Sequence, residues 1–337
     1  MNLFEMTRQL IDIESITPNE GEAGNFLFEL LSGLAAKHGG EVERMAVEPG
    51  RDNIFARFGT PVVTFSTHMD TVPPFIASAE DERQITGRGA CDTKGIIAAM
   101  IKTAERLLEQ GRKNLGLLFV VGEERNSAGA YVAAQNPRGS RFLINGEPTE
   151  NQLALGSKGA LRHEIVARGR MAHSAYPELG ESAILKLLDS LDRIRKMPLP
   201  TDELLGPSTL NIGTISGGRA PNVIPDEARA ETFIRVVGEV EDLRRRISEA
   251  AAPDCEAVEV LFIPSVRLGS LKGMKTTVVA FTSDIPAFNN TWGKPFLIGP
   301  GSIHVAHTSA EFIPKDQLLE AVNLYEQMYH RLSQGHS

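Results

Sequence analysis

Four apolar, strand-like runs in this chain each break off into residues that bind cations or carry protons. Val62-Val63-Thr64-Phe65-Ser66 leads into Thr67-His68-Met69-Asp70, and Leu117-Leu118-Phe119-Val120-Val121 into Gly122-Glu123-Glu124. Phe142-Leu143-Ile144 leads into Asn145-Gly146-Glu147, and Phe296-Leu297-Ile298 into a Gly-rich turn carrying His304 and His307. In open α/β sheets the ligand crevice lies outside the carboxyl ends of the strands, so groups just past four strand ends can converge although they are remote in sequence. A pocket of histidine, aspartate and glutamate is expected, which is the donor set of a metal site.

At 337 residues the chain exceeds the size at which one core keeps growing, and two domains are expected. Its net charge of -8, with no Lys/Arg-rich run, argues against nucleic-acid or anionic-membrane partners, which select basic patches. Cys91 and Cys255 stand far apart as the only cysteines, so neither a disulfide framework nor a cysteine-based zinc finger is available. The segment Met1 to Arg8 lacks a basic stretch followed by an apolar one, and no apolar run approaches the ~18 residues of a membrane span. A cytoplasmic location is expected. Any metal is then held by imidazole and carboxylate, a set that suits zinc, manganese or cobalt.

Residues Gly21 to His38 carry apolar side chains at helical spacing, and Gly39-Gly40 ends the pattern. Strand patterns follow at Val42–Val47 and Ile54–Phe58, and an apolar helix is expected from Ile96 to Gln110. Alternation of this kind predicts an α/β fold: a mixed, mostly parallel sheet with helices on both faces. From Leu161 the character changes to β-α-β-β-α-β, with strands at 161–167, 209–215, 228–237 and 257–263 and helices at 182–197 and 240–250. This is the split-βαβ, ferredoxin-like order. The expected division is a discontinuous catalytic domain of residues 1–160 and 269–337 around an inserted α+β domain, 161–268, serving as lid or oligomerisation surface. Beyond the insertion a helix is predicted near Met274 to Phe288, then the Phe296 strand, then a terminal helix from Lys315 to about Leu332.

Taken singly, each candidate residue also has an ordinary reading. His68 and Asp70 share one side of an extended chain, which suits a ligand histidine oriented by a carboxylate, or a solvated loop. Asp92 lies between a Gly-containing turn and an apolar helix, as a helix cap or a ligand able to bridge two cations. Glu123 and Glu124 follow a buried run, where two acids are costly without a cation or proton; one can ligate while the other accepts a proton. Glu147 sits between Gly146 and Pro148, and spacing does not choose between His304 and His307. His173 reads as a surface-loop histidine and His163 as a packed strand residue.

Together these motifs resemble the M20 family of co-catalytic metallopeptidases and deacylases, which includes acetylornithine deacetylase and succinyl-diaminopimelate desuccinylase. Ser66 to Pro73 is similar to its first metal motif and Gly87-Arg88-Gly89-Ala90-Cys91-Asp92-Thr93-Lys94-Gly95 to its second. Gly122-Glu123-Glu124, Gly146-Glu147-Pro148-Thr149 and Ala306-His307-Thr308-Ser309-Ala310-Glu311 complete the set. The resemblance implies two divalent metals, zinc first, with cobalt or manganese as alternatives. Asp92 bridges them, Glu124 and His307 hold one, and His68 and Glu147 the other. It further implies that Asp70 orients His68, that Glu123 is the general base and acid, and that the inserted domain forms a homodimer in which His173 steadies the oxyanion in the partner's site.

Substrate contacts are implied at Asn222, within Asn222-Val223-Ile224-Pro225, and at Arg235, where relatives use an arginine for the substrate carboxylate. Gly301, in Gly299-Pro300-Gly301-Ser302, and Lys158, in Ser157-Lys158-Gly159, complete that implied group. Ser157 departs from the histidine that acetylornithine deacetylases commonly carry there. The expected reaction is metal-assisted hydrolysis of a small N-acyl amino acid, with Glu123 passing the proton of water to the leaving amine. A dipeptidase is the alternative, and a two-metal phosphoesterase or a non-catalytic binding protein the remote ones.

Overall fold

The computed structural model describes residues 1–334. Its chain divides into two compact units. Met1–Leu155, Leu268–Thr277 and the residues from Ser283 onward form the first, and Gly156–Arg267 with Val278–Thr282 the second.

The chain opens with α1 (Leu3–Asp12) and α2 (Gly21–His38), then β1 (Glu41–Glu48), β2 (Arg51–Phe58) and β3 (Val63–His68). It continues through α3 (Gly95–Glu109), β4 (Leu115–Val120), α4 (Ala128–Gln135) and β5 (Phe142–Asn145). The second unit supplies β6 (Gly159–Arg168), α5 (Ala183–Lys196), β7 (Thr209–Gly217), β8 (Glu227–Val236), α6 (Glu241–Ala251) and β9 (Cys255–Ile263). The first unit resumes with α7 (Ile285–Phe288), β10 (Lys294–Leu297) and α8 (Lys315–Ser333).

In the first unit six of the strands run in the order β1-β2-β4-β3-β5-β10. The last four are mutually parallel, while β1 and β2 are antiparallel. Every residue of β3 and β4 is buried, as a sheet covered on both faces requires. Alternate side chains serve separate cores. Ile54, Ala56, Leu117, Phe119 and Ile144 pack with α1, α2, α3 and α8, whereas Phe55, Leu118, Val120 and Leu143 pack with α4, α7 and Trp292. The mostly parallel α/β class read from the sequence is therefore the class observed.

In the second unit the sheet order is β7-β8-β6-β9, with every neighbouring pair antiparallel. Ala228, Ala230 and Ile234 of β8 join Leu161, Ile165 and Ala167 of β6 under Leu187 and Leu191 of α5 and Leu243 and Ile247 of α6. The Ser182 hydroxyl caps α5 by accepting the Leu185 N–H at 3.3 Å.

One expected element is absent. The predicted helix over Met274 to Phe288 is instead a strand, Thr276–Val279, followed by a turn and the four-residue α7. Two threonines and two valines in succession favour extended backbone, and Pro286 fits only the first turn of a helix, so the helix starts late.

Candidate metal centre

Because β4, β3, β5 and β10 are parallel neighbours, the four groups that follow them share one edge of the sheet. His68 stands level with Val120, and Ser66 with Asn145. Glu147, two residues past Asn145, is thereby carried to the level of His68.

His68 is buried, with Nδ1 at 3.0 Å from the Asp70 carbonyl oxygen and Nε2 at 3.1 Å from Asp92 Oδ1. Donation from Nδ1–H to Asp70 leaves the neutral ring with a lone pair on Nε2 aimed at a carboxylate. Two acceptors face each other there, and a proton or a cation must join them. Burial lowers the His68 pKa, but the bonds to Asp70 and Asp92 outweigh it and hold the imidazole well above its ordinary value. Asp92 Oδ2 lies 3.2 Å from His307 Nε2, which is also 3.0 Å from Glu124 Oε1. Bonds to Asp92 and Glu124 raise the His307 pKa to about 10. Its backbone is left-handed, at φ 63°, a conformation few non-glycine residues hold without local constraint.

Asp70 is saturated. Oδ1 accepts the Glu123 N–H at 3.2 Å, and Oδ2 accepts the Glu124 N–H at 3.1 Å and the Thr17 hydroxyl at 2.7 Å. Burial raises its pKa, yet the bond from His68 and these donors leave it below the usual carboxylate range. The turn it holds begins at Gly122, with φ 79°. A Cβ there would also come within 3.0 Å of Arg51 Nη2, so glycine is needed twice over. Arg51 is itself fixed by two bonds to buried Glu20, 2.8 Å from Nε and 2.6 Å from Nη2.

Among the described residues nothing bonds the Glu123 side chain. Burial drives its carboxyl well above the ordinary range, and the charges of Asp284, Glu124 and Asp92 add to that. Glu147 is pushed up in the same way, by burial first and the Glu123 charge next. His68, Asp92 and Glu124 offer donor atoms within 4.8 Å of one another. Hard oxygen and imidazole donors, with carboxyls whose charge lacks a protein counterpart, fit divalent cations.

Direct contacts thus join His68, Asp70, Asp92, Glu124 and His307, with Glu123 and Glu147 coupled to them by charge. His304 is exposed. Gly301 lies on the loop after β10 at φ 86°, where a Cβ would fall 2.5 Å from Cys91 Cβ. The second unit holds the remaining candidates. His173 pairs with Val223, and the Ser174 N–H donates to the Asn222 carbonyl at 3.0 Å. His173 Nδ1 accepts the Ala175 N–H at 3.1 Å, which leaves Nε2–H as the free donor of the neutral ring. Lys158 Nζ donates to the Pro207 carbonyl at 2.6 Å. Arg235 is half-buried, with its guanidinium 4.8 Å from the Phe233 ring centre and no ion-pair partner among the described residues. His163 is buried, 4.0 Å from Glu259, with its pKa lowered by burial.

Sequence reasoning missed Asp284. This side chain is 1% exposed, and neither carboxylate oxygen finds a donor in hydrogen-bonding geometry. Burial, reinforced by the charges of Asp70 and Glu124 and opposed by His68 and the Ser127 hydroxyl, raises its pKa to about 7. The available signal was an aspartate just before Ile285-Pro286, which reads as an ordinary helix start.

The model of peptidase family M20/M25/M40 matches residues 64–331. A peptidase M20 domain-containing protein of Schizosaccharomyces pombe is 38% identical over 97% of this chain and 84% of its own length. An Aspergillus fumigatus protein named probable carboxypeptidase is 36% identical over 97% of this chain and 86% of its own. Among solved structures, a Staphylococcus aureus tripeptidase superposes with a TM-score of 0.82 at 22% identity, covering 98% of both chains. Among the described residues no helix is long and apolar enough to cross a membrane.

Proposed function

Because the chain belongs to peptidase family M20/M25/M40, we propose that it hydrolyses the amide bond of small N-acyl amino acids with two divalent cations, zinc first, as cofactors. It is a metal-dependent hydrolase of linear amides. The finer reading rests on Asp92, whose two oxygens face different histidines, His68 and His307. His68 and Glu147 would hold one cation, Glu124 and His307 the other, with Asp92 shared. When bound, such a pair acidifies a shared water and stabilises the oxyanion of the attacked carbonyl.

The protein's own groups handle the protons. Glu123, free of other bonds and raised by burial, takes the proton of water and returns it to the departing amine. Asp70 keeps the His68 Nδ1 proton in place and so fixes which nitrogen is a ligand. His173 Nε2–H is assigned to the oxyanion within a homodimer, and the partnerless Arg235 to the substrate carboxylate.

A carboxypeptidase or dipeptidase acting on short peptides is the second reading, favoured by the relative named probable carboxypeptidase. Zinc-loaded protein offered acetyl and succinyl amino acids beside a dipeptide panel separates the two. Release of acetate or succinate supports deacylation, and release of amino acids from dipeptides alone supports the exopeptidase. Turnover of phosphate esters without amides would overturn both.

A further inference from the structure

Four residues after His307, the same loop delivers a second acid that the mechanism does not use. Glu311 is 1% exposed and sits where Phe312–Pro314 pairs antiparallel with Gln84–Thr86, its carbonyl accepting the Gly87 N–H at 3.1 Å. That ladder delivers the carboxylate to the loop carrying Asp92. Oε1 accepts the backbone N–H groups of Cys91 and Asp92, each at 3.2 Å. Oε2 accepts from Arg88 Nη1 at 2.6 Å, and Arg88 is equally buried.

We propose that Glu311 is a positioning residue for the metal centre: by accepting the Cys91 and Asp92 amides it sets the main chain from which the Asp92 carboxylate reaches His68 and His307 together. Two features separate this from an ordinary buried ion pair. The acceptors end on the amide of the bridging candidate itself, and Glu311 is tethered to the loop that carries His307, so one carboxylate fixes Asp92 relative to its histidine neighbour. Arg88 neutralises Glu311 and contributes no contact to Asp92. Metal-binding sites commonly lose 10–100-fold in affinity when the groups orienting their ligands are removed.

The proposal rests on the metal-hydrolase reading, and zinc binding to the full chain tests it without recourse to activity. The Arg88→Met/Glu311→Leu double variant removes both charges together, avoiding a stranded buried charge, and leaves the Cys91 and Asp92 amides without their acceptor. It is expected to fold with a lowered unfolding temperature when metal-free, because two buried amides lose their acceptor, and to bind zinc about 10–100-fold more weakly in chelator competition, with an altered visible spectrum when loaded with cobalt. Arg88→Met alone keeps the acceptor on the Cys91 and Asp92 amides, and its zinc affinity is expected to fall less than that of the double variant even where the fold weakens. Should the double variant fail to fold, Glu311→Asp, whose carboxylate is drawn back by one methylene, is expected to show the same loss of affinity. Wild-type zinc affinity and cobalt spectrum in whichever of these variants folds would overturn the role of Glu311. A wild-type chain that binds no zinc would instead overturn the functional reading beneath it.

Discussion

Asp70 Oδ2 accepts the Glu124 backbone N–H at 3.1 Å while its Oδ1 lies 3.4 Å from His68 Nδ1, so one carboxylate faces the candidate ligand histidine on β3 and also shapes the turn that follows β4. Replacing it by asparagine turns an acceptor-only group into one that presents N–H donors to donors. Asp70→Asn is expected to bind zinc about 10–100-fold more weakly and to lose turnover with it. Competition with a chromogenic chelator measures the first, and wild-type affinity would exclude the orienting role.

Glu123 makes no bond that a glutamine would fail to replace, so Glu123→Gln is expected to fold and to keep its metal. Turnover should fall by roughly 10²–10⁴-fold, the usual worth of a positioned general base. Metal content per chain and kcat, determined on one preparation, check this. Near-normal kcat would remove Glu123 from the reaction.

Asp284 gives the metal-free protein a pH dependence. Its carboxyl titrates near 3.8 when unfolded and about 7 when folded, so the unfolded chain releases this proton first. Its contribution is neutral below about pH 4 and becomes a growing penalty up to pH 7, constant above that, of at most about 4 kcal/mol. Asp284→Asn should therefore gain stability over wild type as pH rises from 4 to 7. Urea unfolding of chelator-treated protein at both ends of that range reads the difference, and equal gaps at the two ends would contradict it.

Arg51 and Glu20 form a buried, two-bond ion pair beneath the Gly122 turn. Arg51→Met strands the Glu20 charge and is expected to cost about 3–5 kcal/mol. Glu20→Leu/Arg51→Met should recover most of that loss. Denaturant midpoints of the two variants settle the matter, and a double variant as weak as the single would mean that packing rather than charge is at stake.

Much of this architecture was legible because period and boundary coincide. The four parallel strands are short, largely apolar runs, and each leads into a segment that carries a ligand-type residue. In β8 the exposed-buried alternation of Ala228, Ala230, Thr232 and Ile234 repeats in the folded burial pattern. Helix α1 is marked in the sequence only by Leu3, Met6, Leu10 and Ile11 on one buried face, a signal too short to stand out in a segment whose composition bears chiefly on whether it is a leader. Thr276–Val279 was misjudged since four to five apolar or β-branched residues fit a helix or a strand equally until flanking residues decide. Asp284 is invisible in the sequence because burial among remote charges leaves no local spacing to detect, and Glu311 shows only as the end of the His307 motif, its partners Arg88, Cys91 and Asp92 lying more than two hundred residues away.

The placement of β10 between β5 and the strand Leu153–Ser157, both made earlier, has a temporal side. This strand, His307 and α8 are all synthesised after the whole of the β7-β8-β6-β9 sheet. A chain emerging from the ribosome can finish its inserted unit while the host sheet still lacks an interior member. Until β10 is made, the host sheet lacks the strand that leads towards His307, so in order of synthesis the inserted unit precedes completion of the sheet that holds it.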